Sequence, residues 1–509
     1  MSTPVQIEKN IYQGELNPET GSLGGLLKEF GADIIIGHPT YECAENIKSQ
    51  LKIGIEGAVD VFEGKKVAFV VTDSTYSEKS GAKGDIEAAL ETGKNTIASL
   101  PDDKKDNVLV FAGPYEGYGG DATPGKGSAL KMVFEEFMKT DAQTLILLDG
   151  DLRNDMKEWQ GVYKRVISSH EKEFPGKNYF ITARYARHFV DASLTRKVVG
   201  PLTTLIGKYV PGGISGDIVL SRGAVELETI TEWNDARRRY GTDISTTFDN
   251  IAHDTVIYEV YLGAKLHDVT NDAKLSVMPG EVIGAALERI LYYEKKDGRV
   301  SKLMGEDKPL DTVVPWGPDK TGISFIDPGE TDVFNIDAKR ASLLDKFNDF
   351  LPFMEKVLRP ETLQIVKDNY AKLSEAAKAG QDDPLFMNIS EKDWINILYE
   401  AVGYIIATED LDNAKRALNY LYTAAFLEFC KLKLYELGLK TVEQIKGAQS
   451  TLGVDAAKAE PFYNEQVDDV VKNMAMDFYN GRAAILDRIK ELKGSRLATE
   501  AQRSYQSNS

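Results

Sequence analysis

The sequence predicts an α/β domain built on a mostly parallel sheet, followed by an all-helical domain. Three observations carry this reading. Strand-length apolar runs alternate with helix-like segments in the first half, such runs disappear after about residue 338, and helical periodicity with wide apolar faces takes over from there. The runs, from Asp33 onward, are ADIIIG, KKVAFVVTD, DNVLVFAG, QTLILLDGD and KNYFITAR. Each is continuously apolar rather than alternating, as in strands covered by helices on both faces. The intervening YECAENIKSQLKIGIEGAVDVF and GKGSALKMVFEEFMKT have helical spacing.

These patterns divide the chain into an N-terminal extension (1–30), an α/β domain (31–285), a connector (286–337), a helical domain (338–495) and a flexible polar tail (496–509). GEVIGAALERILYYEKKDG reads as one helix, and the Gly-, Pro- and Asp-rich stretch from Val300 to Asp337 as irregular chain. KRASLLDKFNDFLPFMEKVL, EKDWINILYEAVGYIIAT and NAKRALNYLYTAAFLEFCKLKLYELG are the main helices of the second half. Their apolar faces read first as core and second as a homodimer seam.

Composition narrows the function. At 509 residues the chain exceeds one ordinary core, and 42% hydrophobic with 28% charged residues is ordinary for a globular protein. A net charge of -18 disfavours sequence-independent nucleic-acid binding and docking on anionic lipid. Two cysteines, Cys43 and Cys430, support neither a disulfide framework nor a thiolate zinc site. The polar start lacks a secretory core and no apolar run reaches the ~20 residues of a membrane helix, so a cytoplasmic protein is expected.

In such sheets ligands bind beyond the carboxyl ends of the strands. Those ends carry His38, Asp73, Gly113 and Asp149. The sharpest motif is LILLDGDLRND, where a buried aliphatic strand runs into Asp149-Gly150-Asp151. Two carboxylates so close repel unless a cation lies between them; a solvated turn is the plain alternative. One strand earlier, Gly125-Lys126-Gly127 closes a glycine-rich loop and Ser128 opens a helix. Helix-start amides plus one lysine suit a diphosphate, and a mobile surface loop is the alternative. Gly120, four residues, then Gly125-Lys126 resembles a P-loop but has Gly127 in place of the magnesium-binding Ser or Thr. His267 ends the strand-like EVYLGAKLHDV and can join a metal held by carboxylates or simply be structural. The turns after His38-Pro39-Thr40 and at Asp73 fit nucleotide contacts or helix caps. Arg184, Arg187 and Arg196 are cations that could meet an anionic substrate, or surface charges.

In their order, these pieces resemble the GT-A glycosyltransferases. DASLTRKVVGPLTTLIGKYVPGGISGDIVLSR, RRRYGTDIS and VYLGAKLHD look like the retaining group that contains glucosyl-3-phosphoglycerate, glucosylglycerate and mannosylglucosylglycerate synthases. The resemblance spans about Asp33 to Val269 and, more loosely, the helical half around Trp394. It implies a hexosyltransferase moving glucose or mannose from a UDP- or GDP-sugar to glycerate, phosphoglycerate or glucosylglycerate with retention, using Mg2+ or Mn2+. It further implies Asp149, Asp151 and His267 at the metal, with Asp149 reaching the donor ribose or a metal-bound water. Pro39, Glu42, Asp73, Gly125, Lys126, Asp149 and Gly150 would contact the donor. Arg184, Thr195, Gly213 and Asp217 would lie at the acceptor, and Asp217, Asp243 and Lys126 would serve the reaction. GGISGD and DASLT depart from the group's usual forms, which leaves the acceptor open. The rival readings are a P-loop-like nucleotide hydrolase or kinase, and a non-catalytic assembly protein on the same scaffold.

Overall fold

The computed structural model describes residues 4–14, 22–74, 84–114, 125–186, 193–265, 267, 272–316, 336–380, 389–436 and 465–507. It divides into two compact units, one of residues 1–186, 212–268 and 313–326, the other of 187–211, 269–312 and 327–509.

The first unit is built on one sheet. Its strands are β1 (Val5–Glu8), β2 (Ile11–Gln13), β3 (Ile34–Thr40), β4 (Val67–Asp73), β5 (Val108–Pro114) and β6 (Thr144–Leu147). After β7 (Tyr179–Ala186), a short β8 (Lys208–Tyr209) belongs to the second unit; β9 (Ile218–Ser221) and β10 (Val256–Ala264) return to the sheet. The short β11 (Asp311–Thr312) pairs with β8, and β12 (Val314–Trp316) ends the large sheet. Its order is β1-β2-β5-β4-β3-β6-β9-β7-β10-β12. β2, β5, β4, β3 and β6 are mutually parallel, as are β7, β10 and β12. β9 runs antiparallel between β6 and β7, and β1 antiparallel to β2, so the sheet is mixed.

The five apolar runs of the sequence are β3 to β7. Every residue of β4 is buried, because helices cover both faces. Ile34, Ile36, Phe69, Val71, Val110 and Ile146 share a core with Ile47 and Leu51 of the helix Ala44–Val61 and with Trp159 and Tyr163 of the helix Met156–Glu173. The other face receives the helix Lys126–Met138, with Phe134 and Phe137 fully buried. Residues 5–13, read as part of an extension, form the β1–β2 hairpin at the sheet edge. Asn10 turns the hairpin with φ 64, and its side-chain amide donates to the Lys105 carbonyl.

In the second unit the helix Glu391–Thr408 is central. Trp394, Ile397, Leu398, Ala401, Val402 and Ile405 are fully buried. Around it lie Pro360–Lys378, Leu411–Glu436, Glu465–Asn480 and Ala483–Ser507. Ser390 caps its start, and Glu400 accepts from the Arg359 amide and the Thr362 hydroxyl at the start of the next helix back. Two stretches are more regular than the sequence suggests. Arg299–Gly305 is helical within the region read as irregular, and the polar tail continues Ala483–Ser507 as helix, having no Pro and no Gly beyond Gly494 to stop it. The helix expected from GEVIGAALERILYYEKKDG begins earlier, at Asp272, with Pro279 inside it.

Candidate active site

From β3 the sheet proceeds to β4 and β5 on one side and to β6 on the other. The strand order reverses between β3 and β6, which opens a crevice beyond their carboxyl ends. Asp149-Gly150-Asp151 follows β6 at that crevice. A Cβ on Gly150 would lie 2.7 Å from the Pro39 carbonyl oxygen and 3.2 Å from Thr40 Cα. The glycine therefore lets the turn press against the end of β3; the close approach is to protein backbone.

Around this turn the first unit gathers an alternating set of charges. Lys126 Nζ lies 2.7 Å from Asp149 Oδ1 and 3.1 Å from Asp243 Oδ2. Lys265 Nζ lies 2.8 Å from Asp149 Oδ2 and 2.7 Å from Asp217 Oδ2, and also donates to the Ser215 carbonyl at 2.7 Å. Both oxygens of Asp149 are thus held by ammonium groups. Burial works against the Asp149 charge, but Lys126 and Lys265 outweigh it and hold the carboxyl far below its ordinary range. Burial likewise opposes the Lys126 charge, and Asp149 and Asp243 overcome it, raising that ammonium. Asp217 is fully buried; it accepts from the Asp149 amide at 2.9 Å and from the Tyr185 hydroxyl at 2.5 Å. Its geometry is that of an anchor for Asp149. Asp243 differs. Burial pushes its carboxyl up, and Oδ1 is buried with no hydrogen bond from the protein.

Lys265 is the residue that the sequence reading passed over. It stands just past the end of β10, two positions before His267 in the sequence. Leu152 bridges His267 in antiparallel fashion and Arg153 donates to the His267 carbonyl, which holds residue 267 alongside the turn that carries Asp151. Asp151 is pushed up first by burial and then by the neighbouring Asp149, with Lys265 and His267 opposing.

The Gly125-Lys126-Gly127 helix start is closed by protein. A Cβ on Gly127 would overlap the Arg237 carbonyl oxygen, and the Ser128 amide donates to the Arg238 carbonyl at 2.8 Å. What the helix offers the crevice is the Lys126 side chain. The covering loop is fixed by Arg237, which is 1% exposed, pairs with fully buried Glu228 and Asp249, and lies over the Trp233 ring at 4.3 Å.

The other sequence candidates are distributed as follows. Asp73 ends β4 fully buried, and Glu42 holds a left-handed backbone (φ 56) in the turn after β3, a conformation that side-chain-bearing residues adopt rarely. His38 is buried beside Phe69, and burial lowers it to about 4. Arg184, on β7, lies 3.8 Å from Glu259, and the Gly213 carbonyl accepts from Thr247. Thr195 and Arg196 belong to a five-residue π-helix, Thr195–Val199, of the second unit. Gly120 and Arg187 lie outside the described residues.

Neither a family model nor a curated protein matches the chain. Among solved structures it is similar to glucosyl-3-phosphoglycerate synthase from Mycobacterium tuberculosis in complex with Mn2+, UDP and glucosyl-3-phosphoglycerate. That likeness has a TM-score of 0.35 and 21% identity over 53% of this chain and 83% of that one. The same enzyme with Mn2+ and UDP-glucose gives a TM-score of 0.35 and 22% identity over 52% and 83%. Mannosyl-3-phosphoglycerate synthase from Rubrobacter xylanophilus gives 0.37 and 17% over 55% and 79%.

The crevice also fits a divalent cation on its own terms. Asp149, Asp151, Asp217 and Asp243 face two ammonium groups, Lys126 and Lys265, leaving an excess of two negative charges when all are ionised. One divalent ion balances that excess. Among the described residues no three His, Cys, Asp or Glu side chains form a ready cage. Asp151 and His267 are the pair that remains once Asp149 is held by lysines. A magnesium-like ion needs no more than one or two protein ligands when substrate phosphates and water complete its shell.

Proposed function

We propose that this chain is a divalent-cation-dependent glycosyltransferase of the GT-A kind. It would move a hexose from a nucleotide-sugar to a small anionic acceptor such as phosphoglycerate or glycerate, with retention. The observation that carries the reading is the Asp149–Asp151 turn at the β3/β6 crevice, with Lys126 and Asp243 on one side and Lys265 and His267 on the other.

In this reading Asp151 and His267 would hold the cation, whose charge would offset that developing on a departing diphosphate. Asp149, kept ionised and fixed by its two lysines, would serve the donor ribose or a water beside the cation. Lys126 supplies a positive charge that is already desolvated, where it counts for more than in water. Asp243 Oδ1 accepts a hydrogen bond from a sugar hydroxyl, its one missing partner. The bond from the anomeric carbon to the diphosphate oxygen breaks and the bond to the acceptor oxygen forms on the same face. The leaving oxygen takes the acceptor proton, so no enzymic nucleophile is required. Arg184, on β7, would meet the acceptor's carboxylate or phosphate.

The phosphate-loop alternative finds less support, because the Ser128 amide is satisfied by Arg238 and backbone fills the space over Gly127. A direct test incubates the protein and Mn2+ with UDP-glucose, GDP-mannose or ADP-glucose, and with 3-phosphoglycerate, glycerate or glucosylglycerate. Acceptor-dependent release of one nucleoside diphosphate and a new anomeric proton signal are expected. Release of phosphate from ATP or GTP, with no sugar transfer, would overturn the reading.

A further inference from the structure

The turn bearing Asp149 and Asp151 is gripped from behind by the helix Ala44–Val61, which the proposed reaction does not otherwise use. Asn46 and Gln50 are four residues apart and therefore share one face of that helix. Asn46 Nδ2 donates to the Asp151 carbonyl at 2.8 Å. Gln50 Nε2 donates to the Gly150 carbonyl at 2.9 Å and to the Leu152 carbonyl at 3.1 Å. Three successive carbonyls of the turn thus end on two amides from one helix. Gln50 is 1% exposed. Turning the Gln50 amide round would set its oxygen against two carbonyl oxygens, so its orientation is determined.

The geometry has a specific consequence. The Gly150 and Asp151 carbonyls belong to the two peptide planes on either side of Asp151 Cα. With both planes held, the direction of the Asp151 side chain is fixed by the backbone before any ligand arrives. The Gly150 contact with β3 and the Leu152 bridge to His267 brace the same turn from other sides. We infer that Asn46 and Gln50 are positioning residues that aim Asp151 at the cation beside His267. This rests on the cation-binding reading proposed above. Removing such outer partners of a metal ligand commonly weakens metal binding by roughly 10–100-fold.

The test is Mn2+ binding to the full chain in the presence of saturating UDP, followed by the electron paramagnetic resonance of free Mn2+, with thermal unfolding in EDTA alongside. Asn46→Leu, at a half-buried position, should raise the Mn2+ dissociation constant roughly tenfold while the metal-free melting temperature stays near the parent's. Gln50→Met, which removes two bonds at conserved volume, should raise it further; if that variant does not fold, Asn46→Leu decides. Asp151→Ala should abolish binding. Parental Mn2+ affinity in Asn46→Leu, with binding still lost in Asp151→Ala, would overturn the positioning role and leave the cation reading standing. Failure of the parent to bind Mn2+ with UDP, and equally when GDP or ADP replaces it, would overturn both.

Discussion

Replacing Lys265 by Met removes the ammonium that joins Asp149 to Asp217 while keeping most of the side-chain volume. In the parent this lysine, with its side chain 5% exposed, touches both carboxylates at under 3 Å. Asp217 would keep the Asp149 amide and the Tyr185 hydroxyl, and Asp149 would keep Lys126. Taking one partner from a buried ion pair costs about 3–5 kcal/mol, because the remaining charge is left in poor solvent. At about 2–4 °C per kcal/mol for a unit of this size, the melting temperature should fall by roughly 6–20 °C. The loss should also depend on pH, with a definite sign. Asp149 in the parent is held below its ordinary value, so its contribution is complete above about pH 4 and fades as pH falls toward the folded value. In the variant one of the two opposing cations is gone and burial drives the carboxyl upward, so protonation relieves the strain on acidification. The gap between the two proteins should be full at pH 7 and should narrow below about pH 5. Urea unfolding at pH 7, 5 and 4 measures it. A gap under about 1 kcal/mol, or one that does not change with pH, would refute the view that Lys265 is a buried structural cation of the crevice.

Arg237→Met should lower stability by about 3–5 kcal/mol in thermal unfolding, since Glu228 and Asp249 are fully buried and would lose their cation. Gly127→Ala forces the Arg237–Arg238 backbone away from the start of the Lys126 helix. A loss of about 1–3 kcal/mol in urea unfolding is expected, together with weaker nucleotide-sugar binding as Lys126 shifts. In the second unit, Trp394→Phe removes the bond from the buried indole to the Lys197 carbonyl, at 2.8 Å. It should cost about 1–3 kcal/mol, read as a lower melting temperature.

The strands that the sequence makes plain are those buried on both faces. The central residues of ADIIIG, KKVAFVVTD and DNVLVFAG are apolar one after another and announce themselves. VQIE of β1 is exposed throughout and only four residues long, so nothing separates it from a polar extension. β9 is equally short, and its antiparallel insertion between β6 and β7 depends on pairing across the sheet, which no local pattern encodes. The crevice was legible where residue type and strand position coincide. Asp149, Asp151, Lys126 and Asp243 come from three separate segments, and the fold brings Lys126 against Asp149 and Asp243. Lys265 was hidden because a lysine near a strand end looks like a solvated charge; its i, i+2 spacing from His267 was the available signal. The glycines around Lys126 and at Gly150 were legible as places of close approach, while what approaches them was not. A phosphate and a neighbouring carbonyl both demand a missing Cβ. The carbonyl-gripping Asn46 and Gln50 leave even less trace, since i, i+4 amides on a helix are common on solvated faces.

The measurement closest to the central claim is calorimetric titration of UDP-glucose and GDP-mannose into the parent and into Asp151→Ala, each in Mn2+ and in EDTA. Saturable binding of one nucleotide-sugar by the parent in Mn2+, lost in EDTA and lost in the Asp151→Ala protein with its fold intact by circular dichroism, is the expected result. Binding that persists unchanged in EDTA or in Asp151→Ala, or the absence of binding alongside metal-dependent binding of ATP or GTP, would contradict a cation-dependent sugar transferase centred on this turn.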